Sequence, residues 1–288
     1  MNNEMNLSPT LPNHPKLPII DTIKEAWTNT KGFKGRTWLS FLIIFIITIL
    51  LAIGIYFFIP ATRTPLTTQS YTHLQLVLIA LIPQLIIRII NILLVYGLIY
   101  MGIRRINNLS LSMEMLFSAF KYPRFFQLIG LYLIRFILFM FCVIPLYLPS
   151  LMILNGYTIP HTKIIIAICY LLGLIYFFIV GVYYLFLRLL VSPLAILDKG
   201  INPIAAIKLS YNATKCNVLR ILAVFILELL VVLACLIPAF IGAYVFKHLG
   251  IRMIWCLPLA FGIIWCIPFI LLVNPVIYKH LVGISTKE

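Results

Sequence analysis

Residues 188–238 read RLLVSPLAILDKGINPIAAIKLSYNATKCNVLRILAVFILELLVVLACLIP, and they decide the fold. An apolar run ends, a basic loop with its own short helix follows, and a second apolar run leaves. Pro193 ends or kinks the incoming helix, because proline lacks an N–H and crowds the preceding turn. Asp198-Lys199-Gly200 is a turn signal, with Gly200 free to take a positive φ. Asn202-Pro203 predicts a helix start: asparagine is a good N-cap and proline fits the first helical position. In IAAIKLSYNATK, Ile204, Ile207 and Tyr211 fall on one face at helical spacing. Lys199, Lys208 and Lys215 supply charge around it. A short basic amphipathic helix between two membrane spans belongs in the headgroup layer, where these lysines would meet anionic lipid headgroups. A solvated connector helix is the competing reading.

Composition supports a membrane setting. Of 288 residues, 63% are hydrophobic and 10% charged, against about 25% charged in soluble domains. Mean hydropathy is +1.10. The net charge of +15 could point to nucleic acid, but the basic residues stand at the ends of apolar runs and not in one patch. They read as topology signals and contacts to anionic lipid, so no nucleic-acid partner is expected. Six cysteines without CxxC spacing predict neither a disulfide framework nor a zinc site. No cleavable signal peptide is expected at the N-terminus.

Residues 1–18, MNNEMNLSPTLPNHPKLP, are polar and proline-rich and read as a disordered tail. Residues 19–288 read as a single six-helix membrane domain. Its first part, 21–36, carries Trp27 and Phe33 with Lys24, Lys31, Lys34 and Arg36, the mix of a headgroup boundary. A span needs about 20 apolar residues. Six candidates follow, at 38–60, 74–101, 125–148, 164–187, 218–243 and 253–278. The expected fold class is all-α integral membrane: three hairpins, each preceded by an interfacial segment.

Arginines and lysines orient the spans. With a cytoplasmic N-terminus, the inner side collects 16 of them, from Lys16 to Lys287, and the outer side 4: Arg63, Lys163, Lys247 and Arg252. This bias predicts that both termini are cytoplasmic. A weak internal repeat accompanies the layout. Spans one, three and five each close on Ile-Pro, at Ile59-Pro60, Ile144-Pro145 and Ile237-Pro238, and an offset of 93 residues puts Cys142 on Cys235 and Arg135 on Glu228. Among the even spans, Gly97, Tyr100 and Arg104 recur as Gly181, Tyr184 and Arg188.

The segment PLAILDKGINPIAAIKLSYNATK, 193–215, resembles a signature in a group of bacterial multi-spanning proteins. They include the membrane domain found beside some glycerophosphodiester phosphodiesterases, and related stand-alone six-helix inner-membrane proteins of unknown function. The segment IKEAWTNTKGFKGRTW, 23–38, resembles their leading segment. The resemblance covers most of the chain in layout and these two segments in motif. It implies a six-helix fold in a bacterial inner membrane. It implies no catalysis, since no phosphodiesterase domain is expected here, and it brings no active residues.

Polar groups inside the spans are the candidate sites, because an ionisable group at mid-bilayer is costly and marks function or a partner. Arg135 and Glu228 each lie roughly 15 Å from the inner end of their spans at 1.5 Å per residue, so they are expected to pair. Such a pair serves either as a structural tie or as a proton or ion relay. Gln84, Arg88 and Asn91 fall on one face of span two and are expected to face the interior, as a packing seam or a substrate-anion site. His73, His161 and His248, one per outer loop, could form a metal site, but no carboxylate stands near them and none is expected. His-Glu-x-x-His, a Walker loop, G-x-S-x-G and a carboxylate pair are absent, so no catalytic residue, metal or cofactor is expected. The reading is a non-enzymatic multi-pass protein of envelope maintenance or a partner of a membrane complex. The alternative is a transporter or channel using Arg88, Arg135 and Glu228.

Overall fold

A computed structural model describes residues 16–58, 73–154, 160–248 and 256–283. Its regular structure is helical, with no strand among the described residues. Hydrocarbon offers backbone groups no partner, and a helix satisfies them within one segment.

Helix α1 (Ile19–Asn29) leads into α2 (Lys34–Phe58) and α3 (His73–Ile106). A 3₁₀ segment, Met113–Phe120, leads into α4 (Arg124–Leu154) and α5 (Pro160–Tyr176), which continues as a π-helical segment, Phe177–Arg188. Two short helices, α6 (Ser192–Lys199) and α7 (Pro203–Thr214), lead into α8 (Val218–His248) and α9 (Cys256–Val282). Six helical stretches are long and apolar enough to cross a membrane. The chain is an all-α six-span membrane protein built as three hairpins, each with short helical segments before it.

Each hairpin closes on small or hydrogen-bonding residues, as membrane helices do. Thr48 donates to Asn91 Oδ1 at 2.8 Å between α2 and α3. Between α4 and α5, a Cβ added at Gly173 would lie 2.9 Å from the Pro145 carbonyl oxygen, and between α8 and α9 one at Gly262 would lie 2.9 Å from the Cys235 carbonyl oxygen. The prolines expected to close spans three and five do not do so. Helix α4 runs past Pro145 to Leu154 and α8 past Pro238 to His248. An internal proline is tolerated in a membrane helix where neighbouring helices, hydroxyl side chains or local helix adjustments satisfy the carbonyls it frees. Ile59-Pro60 lies outside the described residues.

Buried side chains gather at one end of the bundle, the end that carries the described chain termini. Leu98, Met101, Leu116, Ile196, Val276 and Tyr278 belong to this core. At the other end the spans show membrane-facing side chains such as Phe57, Leu81, Phe141, Ile179 and Ile237. Polar bonds lock the packed end. Glu25 of α1 pairs with Lys279 at 2.6 Å and His280 at 3.0 Å. Arg105 donates to the Asn29 carbonyl at 3.1 Å, and Tyr278 donates to Asp198 at 2.8 Å. The 3₁₀ segment lies so close to α3 that a Cβ at Gly97 would overlap the Leu116 carbonyl.

Of the expected tail, 1–18, residues 16–18 are described. Leu17 is buried, its N–H donates to Asn217 Oδ1 at 3.0 Å, and its carbonyl accepts from Arg220 at 3.1 Å. Residues 1–15 lie outside the described residues.

Candidate functional site

The fourth span is discontinuous, and the candidate site is its break. The helix that starts at Pro160 ends at Arg188, three residues turn, and α6 resumes at Ser192. Pro193 lies in the first turn of α6, where its missing N–H costs nothing. Residues 192–197 are all buried, so the part expected to be loop is a seated helix. Gly200 then ends it at φ 65°, as the turn signal predicts.

A broken helix leaves carbonyls without partners, and buried side chains supply them. The Leu189 carbonyl accepts from the Ser192 N–H at 3.1 Å, and in addition from Arg135 and, at 2.6 Å, from the Ser192 hydroxyl. Arg135 also donates to Ser192 Oγ at 3.0 Å and reaches the Tyr96 side chain. The Arg188 carbonyl accepts from Ser210 of α7 at 2.6 Å. The Arg188 guanidinium turns back, donating to the Tyr211 carbonyl at 3.3 Å and the Tyr183 hydroxyl at 3.0 Å. It lies over the Tyr211 ring at 4.6 Å and the Tyr183 ring at 5.3 Å, a cation–π contact with each. Arg188 is 6% exposed. The Nε atoms of Arg135 and Arg188 are buried without a hydrogen-bond partner.

The break is recessed. Arg135 is 11 residues beyond Arg124, about 16 Å along α4 at 1.5 Å per residue. Gln127, two turns nearer the end, donates to the Gly200 carbonyl at 3.1 Å. Helix α6 therefore climbs back from the level of Arg135 to the packed end. Beside the break a cavity of about 280 Å³ runs between α4 and the π-helical segment. Leu138, Phe141 and Cys142 line one side, Tyr176, Val180 and Leu185 the other, and Arg188 with Tyr211 its base.

The residues expected to meet do not all meet. Arg135 and Glu228 make no ion pair with each other; the ion pairs among the described residues fall on Glu25. Equal depth does not make neighbours. Helix α4 packs on α5, α6 and α7, whereas α8 packs mainly on α9 and α1; both also touch the π-helical segment. Glu228 is buried, and its Oε2 has no hydrogen-bond partner. The stripe on α3 divides: Asn91 joins the seam with α2, while Gln84 and Arg88 are exposed. Arg88 lies on the surface of the span and not in the interior. Lys199, Lys208 and Lys215 are exposed at the packed end. The side chains of His73, His161 and His248 lie outside those described, and no group of three or more metal-ligating side chains occurs among the described residues.

Helix α7 has a buried and an exposed side. Ala206, Ser210, Ala213 and Thr214 are its buried side. Ile204, Lys208, Tyr211 and Lys215, spaced by four, three and four, form the opposite, exposed side. Asn202 takes the extended cap conformation without a side-chain cap bond.

Sequence reasoning placed Arg188 among the boundary cations and missed its recessed seat. The nearest signal in the sequence is Ser192, a lone hydroxyl in the apolar run 189–197 that follows Arg188. No family model, curated protein or solved structure matches the chain.

Proposed function

We propose that this six-span protein sits in a bacterial inner membrane with both termini in the cytoplasm and acts without chemistry of its own, holding anionic lipid at its cytoplasmic end. One observation carries the reading: Ile204, Lys208, Tyr211 and Lys215 share the exposed side of α7. An isoleucine and a tyrosine seek the acyl boundary while lysines on the same side reach phosphates, and the small-residue side keys the helix to the bundle. The positive-inside bias supports the orientation, and the resemblance of 193–215 supports the bacterial inner membrane. Roles in envelope maintenance or beside another membrane complex fit such a lipid-seated protein.

The test is thermal stability in nanodiscs of phosphatidylcholine with and without phosphatidylglycerol. The wild type is expected to gain stability with the anionic lipid. Lys208→Gln with Lys215→Gln should remove part of that gain, at about 1 kcal/mol per cation near the surface. A wild-type stability independent of headgroup charge overturns the reading. A carrier of small anions is the second reading. The broken fourth span favours it, since discontinuous spans build the sites of many transporters.

A further inference from the structure

We propose that the cavity beside Arg188 is a binding site for one anionic membrane lipid, with its phosphate on the Arg188 guanidinium and one acyl chain between α4 and the π-helical segment. This goes beyond the surface contact of α7, which holds many headgroups loosely.

Three independent observations converge. The first is charge. Arg188 is 6% exposed and, among the described residues, has no carboxylate within ion-pair distance and keeps a buried Nε without a hydrogen-bond partner. Arg135 brings a second guanidinium to the same break, also with an unpartnered Nε. Two recessed cations without a counter-ion among the described residues call for an anion, and arginine matches phosphate as a donor fork. The second is shape. The cavity holds about 280 Å³ and is walled by aliphatic and aromatic side chains, a volume just below that of small-molecule sites and suited to part of a chain. Its flank carries Leu138, Phe141 and Tyr176, which are exposed side chains of the spans and so face the bilayer. The third is direction. Arg188 and Tyr211 stand toward the packed end, while Cys142 and Tyr176 lie farther along the spans. A lipid of the leaflet at the packed end has the same polarity, its head toward that end and its tail toward the midplane. The wall formed by Phe177–Arg188 is π-helical, a geometry that is rare and frequent at functional sites.

The test uses the full chain in nanodiscs of mixed phosphatidylcholine and phosphatidylglycerol, followed by release into detergent and native mass spectrometry of retained lipid. The wild type is expected to keep one phosphatidylglycerol, preferred about fivefold or more over phosphatidylcholine, the factor one cation near the headgroup supplies. Val180→Trp fills the apolar part of the cavity while keeping the arginine in the chain, and should release that lipid while the melting temperature holds. Arg188→Gln should abolish the headgroup preference. Lys208→Gln with Lys215→Gln should leave the retained lipid in place, which separates this site from the surface contact. Millimolar inorganic phosphate should not displace it. Equal retention of the two lipids by the wild type, retention by a folded Val180→Trp, or displacement by inorganic phosphate alone overturns the proposal. The wild-type arm decides the matter even if both cavity variants fail to fold.

Discussion

Arg135 is the residue on which the break in the fourth span depends. A guanidinium inside a membrane span is costly unless its donors are satisfied, and here they go to the Leu189 carbonyl, Ser192 and Tyr96. A cation at a helix C-terminus also meets the negative end of the helix dipole. The guanidinium therefore replaces the water that a broken helix would find at a protein surface. A double-mutant cycle distinguishes this role from the ion pair with Glu228 that equal depth suggests. Arg135→Leu should destabilise the protein in detergent, and so should Arg135→Lys, because the shorter ammonium lacks the planar guanidinium whose nitrogens reach the Leu189 carbonyl, Ser192 and Tyr96 together. Arg135→Leu and Glu228→Leu should combine additively, within about 0.3–0.5 kcal/mol as for sites without shared partners. Arg135→Leu and Ser192→Ala should not, since they share the Leu189 carbonyl. Coupling well above that margin between Arg135 and Glu228 would restore the pair.

At the scale of elements, α7 shows what a sequence displays and what it hides. Asn202-Pro203 marks the start of the helix, and Gly200 takes the positive φ that the turn before it demands. Those features are local, so they are legible. The side on which α7 rests is not, because Ala206, Ser210 and Ala213 are recognised only by what packs against them. Pro203 nests at Gly130 of α4, where an added Cβ would lie 3.2 Å from its ring. Likewise, apolar length announces the six spans, but the same runs say nothing about which neighbour a buried group faces. That is why the depth of Arg135 was readable and its partners were not, and why Arg188 passed for a boundary cation. The π geometry of Phe177–Arg188 left no pattern in the sequence. The assignment of faces is testable. Ala206→Leu overpacks a fully buried position and should cost about 1–3 kcal/mol. Ile204→Ser, at 76% exposure, should leave the melting temperature in detergent within about 0.5 kcal/mol equivalents of the wild type. The reverse order would mean that α7 sits on its other side.

For the whole molecule, the distribution of packing is the main feature. The core, the locks on Glu25 and Asp198, and the short helices all belong to one end, and the far parts of the hairpins present apolar side chains to lipid. The basic residues of that packed end, including Lys199, Lys208 and Lys215, lie where the positive-inside rule places the cytoplasm. The proposed lipid contacts all require this orientation. Cys216, exposed at the end of α7, reports on it directly. With the other five cysteines replaced, a membrane-impermeant maleimide applied to intact cells should leave Cys216 unlabelled until the membrane is permeabilised, while Thr64→Cys in a cysteine-free background should label at once. Labelling of Cys216 in intact cells, with Thr64→Cys protected, would contradict the account.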